Sequence, residues 1–169
     1  RQKRPVTFKG KEIILDSFLL CVDASNGKTV WKADRPTPAV AESPDSYASI
    51  MPFKQNGKMC LLMNGGDLVT CNDAATGKEL WRYDYSPQRR SPIWRLIPSV
   101  TVAGGIIYSP IARGGEGVGV IPPASGTGKP KHAWKRKGKF PDVPCAAYYE
   151  NDLYVLDGRT KSLTCMEPK

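Results

Sequence analysis

Two stretches of the chain, FLLCVDASNGKTVW at residues 18–31 and LVTCNDAATGKELW at residues 68–81, align without gaps at an offset of 50. Both contain the frame C-x-D-A-x-x-G-K-x-x-W. Agreement at several positions of rare residue types indicates an internal repeat, and a repeat determines the class of fold. Besides the shared Ala, the coincident pairs are Cys21 and Cys71, Asp23 and Asp73, Gly27 and Gly77, Lys28 and Lys78, and Trp31 and Trp81.

The frame recurs twice more in altered form. VGVIPPASGTGKPKHAW, residues 118–134, keeps Gly128 and Trp134, but it lacks the Asp and has two extra residues before the Trp. SLTCMEPK, residues 162–169, begins the frame with Cys165 and ends before any G-K-x-x-W. The repeat therefore extends over almost the whole chain.

A second marker of the repeat is a tight turn followed by an apolar run. These turns recur every 47 residues, at Gly10, Gly57, Gly104 and Asn151. Within one period, short apolar runs are separated by Gly- and Asn-rich turns, and no window has the spacing of an amphipathic helix. A period of this size with four short strands is typical of a propeller blade. We predict an all-β fold, a partial β-propeller of four-stranded antiparallel blades, at about residues 5–35, 47–84 and 97–136, with an incomplete blade at 144–169.

The repeated frame has a physical explanation. The Asp opens a turn whose backbone N–H groups can donate to its carboxylate, and the Gly can adopt the left-handed conformation that closes the turn. The Trp then lies on the outer strand, where its ring can cover the gap between blades and its indole N–H can donate to a carbonyl. We predict this structural role for Asp23, Gly27, Trp31, Asp73, Gly77, Trp81, Gly128 and Trp134.

Composition limits the classes of function. The 169 residues are 40% hydrophobic and 24% charged, which excludes a disordered tail. No apolar run approaches the roughly 18 residues that a membrane span requires. The net charge of +9 permits attraction to phosphate. Because no RNA-binding aromatic motif accompanies that charge, we predict no nucleic-acid partner.

The frame resembles the tryptophan-docking repeat of the PQQ-type β-propellers, whose usual form is A-x-D-x-x-T-G-K-x-x-W. CNDAATGKELW, residues 71–81, departs from that form only by Cys71 for Ala. The family includes eight-bladed quinoprotein alcohol dehydrogenases, outer-membrane assembly lipoproteins of the BamB type, and secreted propellers. ESPDSYASIMPF and the second frame are most similar to the BamB-like members. The resemblance implies a bacterial, extracytoplasmic protein, periplasmic or secreted, and it is specific for fold rather than function.

The resemblance leaves two functional hypotheses open. The quinoprotein enzymes use a disulfide between adjacent cysteines, a calcium ion bound by Glu and Asn side chains, and an Asp base. Here no two cysteines adjoin, since they lie at positions 21, 60, 71, 145 and 165. We predict no catalytic residue, no metal ligand and no cofactor in this segment. In the alternative, the chain is part of a PQQ-dependent dehydrogenase that oxidises alcohols or sugars, and PQQ and calcium are then expected.

The cysteines and the single histidine do not form a recognisable functional site in the sequence. Cys21, Cys71 and Cys165 occupy the repeat position that is usually Ala, so we predict small buried thiols. Cys60 and Cys145 have no repeat mate, and the sequence leaves open whether they pair. His132 is the only imidazole, and one side chain cannot make a metal or acid–base site.

The long connections from each outer strand to the next blade are the best candidate binding surface. They are residues 34–47, 84–98 and 135–144, and in this topology they are expected on one face of the propeller. Cationic groups beside an aromatic ring suit an anionic ligand or the acidic peptide of a protein partner. The alternative is that the charges only keep the loops soluble. The candidate residues are Arg89, Arg90, Trp94, Arg95, Arg136 and Lys137.

Length adds a last expectation. Division of 169 residues by the period of 47 gives about 3.6 blades, fewer than the four to eight blades that are typical of closed propellers. We therefore expect a piece of a propeller whose remaining blades, in a full-length chain, are its neighbours. Unpaired strand edges at its two ends are expected to promote self-association.

Overall fold

The computed structural model describes residues 4–8, 10–15, 17–88, 90–111 and 115–169, and in 4–8 and 11–15 only the backbone. All its regular elements are strands. They are β1 Arg4–Phe8, β2 Lys11–Leu15, β3 Phe18–Val22, β4 Thr29–Asp34, β5 Met51–Gln55, β6 Lys58–Gly65, β7 Leu68–Asp73, β8 Glu79–Asp84, β9 Thr101–Ala103, β10 Ile106–Ile111, β11 Glu116–Ile121, β12 Lys131–Lys137, β13 Ala147–Tyr149, β14 Asp152–Asp157 and β15 Ser162–Met166.

The strands form antiparallel sheets in chain order. Strands β5 to β8 make one four-stranded sheet and β9 to β12 make another, which we name blade 2 and blade 3. Strands β13 to β15 make the three-stranded blade 4, and blade 1 consists of two strand pairs, β1 with β2 and β3 with β4. The predicted all-β fold with four-stranded antiparallel sheets is confirmed. Within the described residues there is no helix that meets the length and hydrophobicity needed to cross a membrane.

The first two strands of blades 2, 3 and 4 are joined by a two-residue turn. Both turn residues have positive φ in Asn56–Gly57, Gly104–Gly105 and Glu150–Asn151. This geometry matches the twist of a hairpin, and Gly and Asn adopt it at little cost. The strand register places Gly105, rather than Gly104, at the second turn position that Gly57 occupies in blade 2. The spacing between equivalent turn residues is therefore 48 and then 46 residues, not 47 each time.

Tryptophans join consecutive blades as the frame predicts. The indole N–H of Trp31 donates to the carbonyl of Ala74 in blade 2 at 3.2 Å, and that of Trp134 donates to the carbonyl of Pro168 in blade 4 at 2.6 Å. The ring of Trp31 lies against Gly77, where an added Cβ would be 2.5 Å from its Cε3 atom. Each of these two indoles therefore donates to the same position of the frame in the next blade, three residues after its Cys.

The junction between blades 2 and 3 differs from the other two. The indole N–H of Trp81 donates to the side chain of Gln55 in its own blade at 3.3 Å, and the amide of Gln55 donates to the carbonyl of Pro123 in blade 3 at 2.7 Å. The altered third frame explains the difference, because its extra residues change the turn that Trp81 would otherwise contact. Gln55 therefore bridges the Trp and the next blade.

The apolar core lies between the blades. The larger cluster joins blades 2 and 3 through Leu62, Cys71, Trp81, Ile107 and Val118. A second cluster between blades 3 and 4 contains Tyr108, Phe140, Leu153 and Val155. Alternate residues of blade 3 strands therefore serve opposite clusters, as the two-residue period of a strand requires.

The cysteines are all free thiols, so Cys60 and Cys145 do not pair. Cys71 is buried as predicted, next to Cys60, and burial raises the pKa of its thiol. The prediction of burial was wrong for Cys165, which is exposed, and Cys21 is only half-buried. Cys71 faces blade 3, whereas no described element covers the corresponding side of blade 4.

The Asp of the frame holds its turn by hydrogen bonds. Asp73 accepts from the hydroxyl of Thr76 at 3.0 Å and from the backbone N–H groups of Thr76 and Ala75, both at 2.9 Å. These bonds lower the pKa of Asp73, and the bond from the Thr76 hydroxyl has the largest effect. Asp23 and Asp157 have lowered pKa values for the same reason. The largest contribution is the hydrogen bond from the Ser25 side chain for Asp23 and from the Thr160 side chain for Asp157.

Asp73→Asn is expected to make the fold less sensitive to acid. Because the pKa of Asp73 is lower in the folded chain than the ordinary value of about 3.9, its carboxylate stabilises the fold above that value. The contribution is lost as pH falls through the folded pKa. Urea unfolding is measured at a series of pH values from above 3.9 downward. The free energy of unfolding should fall more steeply with decreasing pH in the wild type than in the variant. Parallel pH profiles would contradict the assignment.

Candidate functional site

The connections 34–47 and 84–98 are joined to each other by backbone hydrogen bonds. Tyr47 N–H donates to the carbonyl of Leu96 at 2.8 Å, and Glu42 N–H donates to that of Pro92 at 2.8 Å. Ser46 and Leu96 also form a parallel bridge. Together with residues 135–144 and the turn at residues 65–67 of blade 2, these connections form the surface that we name the loop face.

One cavity of about 530 Å³ takes residues from all three connections. Its lining is Tyr47 from the first, Arg95 and Ile97 from the second, and Asp142 from the third. Tyr47 and Arg95 are both exposed, so the phenol and the guanidinium are accessible to a ligand. The cavity thus combines an aromatic ring, an aliphatic surface and charges of both signs.

Arg95 is held in a fixed orientation at this cavity. Its Nε and one terminal nitrogen donate to the same carboxylate oxygen of Glu42, at 3.0 Å and 2.6 Å. Hydrogen bonds to Tyr47 and to Glu42 raise the pKa of Arg95 above its ordinary value. Like any arginine, Arg95 is a cation at physiological pH, and its planar fork suits a carboxylate or phosphate.

Other predicted residues of the second connection are used within the fold. Arg90 donates to Asp84 at 2.8 Å and to the buried Asp67 at 3.4 Å. Burial raises the pKa of Asp67, and the charge of Arg90 opposes that rise. Trp94 packs against the core between blades 2 and 3. Arg89 lies outside the described residues.

The predicted cations of the third connection line a different cavity. Arg136 lies over the ring of Trp134, with 5.0 Å between its Cζ atom and the ring centroid. Arg136 and Lys137 border a cavity of about 190 Å³ between blades 3 and 4. The structure therefore does not gather the predicted cations into one patch.

His132, the only imidazole, contacts Tyr83 of blade 2. One of its ring nitrogens shares a 2.7 Å hydrogen bond with the hydroxyl of Tyr83, and the two rings are stacked.

Arg35 is the polar residue that sequence reasoning missed. It is only 2% exposed, and it donates to the carbonyls of Gly65 and Leu68 and to the hydroxyl of Thr70, at 3.0, 3.3 and 3.1 Å. Burial lowers its pKa to about 10. Nothing in the sequence separates Arg35 from the exposed cations of the loops. Tyr47 and Asp142 could have been found, since each lies where a connection approaches an inner strand.

The larger cavity presents groups that can contact a ligand. Arg95 can pair with an anionic group, while Tyr47 and Ile97 can cover an apolar part of the same ligand. Across the described ranges, no three His, Cys, Asp or Glu side chains are arranged to hold a metal ion.

Comparison with known proteins identifies the family. A family model described as "Outer membrane protein assembly factor BamB" matches residues 16–163. The fold is similar to the crystal structure of BamB from Moraxella catarrhalis, with a TM-score of 0.54 and 13% sequence identity. The alignment covers 90% of this chain and 46% of that one, so this chain spans less than half of the BamB structure. A search of curated proteins found no match. Since the family model covers most of its residues, the chain belongs to the BamB-like family of PQQ-type β-propeller repeat proteins.

Proposed function

We propose that this protein is a noncatalytic binding or scaffolding module that engages a protein partner or an anionic ligand through its loop face. The observation that carries the proposal is the convergence of three successive connections on one cavity with a positioned Arg95. Binding surfaces are formed in this way by loops on a rigid scaffold.

The residue types at the cavity favour a protein partner. Tyr and Arg are enriched at the centres of protein interfaces, because each combines a large contact surface with directed hydrogen bonds. Tyr47 and Arg95 supply this pair. The family's description names an assembly factor for outer-membrane proteins. From this description we infer that this chain, too, has a protein partner and lies outside the cytoplasm of a bacterium.

Arg95→Ala is expected to reduce partner binding about tenfold or more, the effect of removing an interface residue worth about 1.4 kcal/mol. The measurement is quantitative recovery of bound protein from a bacterial periplasmic extract on immobilised wild type and variant. Lys58→Ala is the control, because Lys58 is an exposed cation at the end of β6 that lies farthest from the loop face. Equal recovery by wild type and Arg95→Ala would contradict the proposal.

The quinoprotein alternative has a separate test. The protein is titrated with PQQ and Ca²⁺, and alcohol oxidation is assayed with the loaded sample. Tight cofactor binding with turnover would overturn the noncatalytic assignment.

A further inference from the structure

The residue that directly follows the outer strand of a blade has an equivalent place in blades 1, 2 and 3. Its backbone N–H donates to the carbonyl of the residue just before the third strand of the same blade. The pairs are Arg35 with Ser17 at 2.8 Å, Tyr85 with Asp67 at 3.2 Å, and Gly138 with Gly115 at 2.8 Å. Three unlike residues therefore occupy one structural position.

In blades 1 and 2 this residue buries a planar side chain against the next blade. Arg35 is 2% exposed, and it donates to two carbonyls and to the hydroxyl of Thr70 on strands β6 and β7 of blade 2. Tyr85 is 5% exposed and belongs to the apolar cluster between blades 2 and 3. At these two junctions, the chain itself therefore fills the space with a guanidinium or a phenol ring.

In blade 3 the position is Gly138, which has no side chain, and it borders the cavity of about 190 Å³ between blades 3 and 4. The blade 4 wall of this cavity consists of Val155 of β14 and of Thr164 and Met166 of β15. Thr164 directly precedes the Cys of its frame, as Thr70 does in blade 2, so it is the equivalent of the hydroxyl that Arg35 contacts. The cavity therefore lies where a side chain is packed at the other two junctions.

The cavity has a cationic rim and an apolar wall. The rim consists of three exposed cations, Arg136, Lys137 and Lys139. The wall includes Phe140 and Val155, which are 6% and 1% exposed. No carboxylate is among the residues that line the cavity in the described part of the chain. Glu116, which is 4.0 Å from Lys137, is paired with Lys135 at 3.1 Å. A matching ligand must therefore combine a flat apolar group with a negative charge.

We propose that the cavity beside Gly138 binds a small aromatic carboxylate. The ring takes the place that the phenol of Tyr85 holds at the preceding junction, and the carboxylate accepts hydrogen bonds from the cations of the rim. An apolar pocket with a few polar groups that fix orientation is typical of small-molecule sites. This site goes beyond the binding proposed for the larger cavity, because Arg95 does not line it.

The test is fluorine NMR of three probes, each titrated with the full chain. The probe para-fluorobenzoate has both the ring and the charge, para-fluorobenzamide lacks the charge, and trifluoroacetate lacks the ring. The wild type should bind para-fluorobenzoate with a dissociation constant of about 1 mM or lower, as a ligand of this size allows. It should bind the other two probes at least tenfold more weakly. Absence of binding, or equal binding of either control probe, would overturn the proposal.

Substitutions locate the bound probe. Thr164→Phe fills the cavity with a ring from blade 4 and should abolish binding of para-fluorobenzoate. The double variant Arg136→Gln with Lys139→Gln removes charge from the rim and leaves the core unaltered, so it should raise the dissociation constant at least tenfold. Lys58→Gln is the control, because Lys58 is an exposed cation of blade 2, and it should bind as the wild type does.

Two results would place the probe elsewhere and overturn the proposal. One is binding that persists in Thr164→Phe. The other is an equal loss in Arg95→Ala, which would assign the probe to the larger cavity. Far-ultraviolet circular dichroism checks that each variant remains folded, and the double variant tests the site even if Thr164→Phe does not fold, since both of its substitutions are on exposed residues.

Discussion

Gly77→Ala is expected to lower the free energy of unfolding by about 3 kcal/mol or more. Gly77 has φ of +73°, and an added Cβ would lie 2.5 Å from Cε3 and 2.7 Å from Cζ3 of Trp31. Left-handed backbone costs a non-glycine residue about 1–2 kcal/mol. Displacement of a packed indole, with its hydrogen bond to Ala74, adds a loss of similar size. Urea denaturation of wild type and variant measures the difference.

Gly27→Ala is the matched control for this prediction. Gly27 occupies the same position of the frame with φ of +71°, but an added Cβ would contact nothing within 4 Å. Its substitution should therefore cost only the backbone term of about 1–2 kcal/mol. The difference between the two variants reports the docking of Trp31. Equal losses would mean that the indole contact contributes nothing to the joining of blades 1 and 2.

Arg35→Ala is expected to destabilise the fold by about 3 kcal/mol, because it removes a buried hydrogen-bond donor from several acceptors at once. The carbonyls of Gly65 and Leu68 and the hydroxyl of Thr70 would lose the guanidinium that joins blade 1 to the loop face of blade 2. Burial of the charge is itself unfavourable, as its lowered pKa indicates. Its contribution therefore lies in these bonds and in the volume it fills.

Arg82→Ala is the control for Arg35→Ala, because it removes an arginine whose side chain is exposed rather than buried. Arg82 pairs with Glu79 at 2.6 Å and donates to the carbonyl of Pro36 at 3.1 Å, but its side chain is 38% exposed. Exposed pairs contribute less than about 1 kcal/mol. Unfolding in urea should therefore place Arg82→Ala close to the wild type and Arg35→Ala well below it. Similar stabilities for the two variants would show that Arg35 is not a structural link.

The repeated parts of the fold were predictable because their causes are local. Alternation of apolar residues sets the strands, and Gly57 and Asn151 set hairpin turns through their own backbone preferences. The indole contact of Trp31 with a carbonyl of the next blade followed from the frame, and Trp134 repeats it at the junction of blades 3 and 4. The bridge through Gln55 did not, because it depends on how an altered turn in blade 3 meets a strand of blade 2.

The candidate site depended on contacts between distant residues. Arg90 and Arg95 lie five positions apart in one connection, yet Asp84 and Asp67 hold the first within the fold and Glu42 holds the second at the cavity. The sequence alone determined the blades, their order and the faces of their strands, since strand period and turn conformation are properties of neighbouring residues. The tertiary structure alone determined which loop cations are exposed, because burial and ion pairing depend on groups that packing brings together from separate blades.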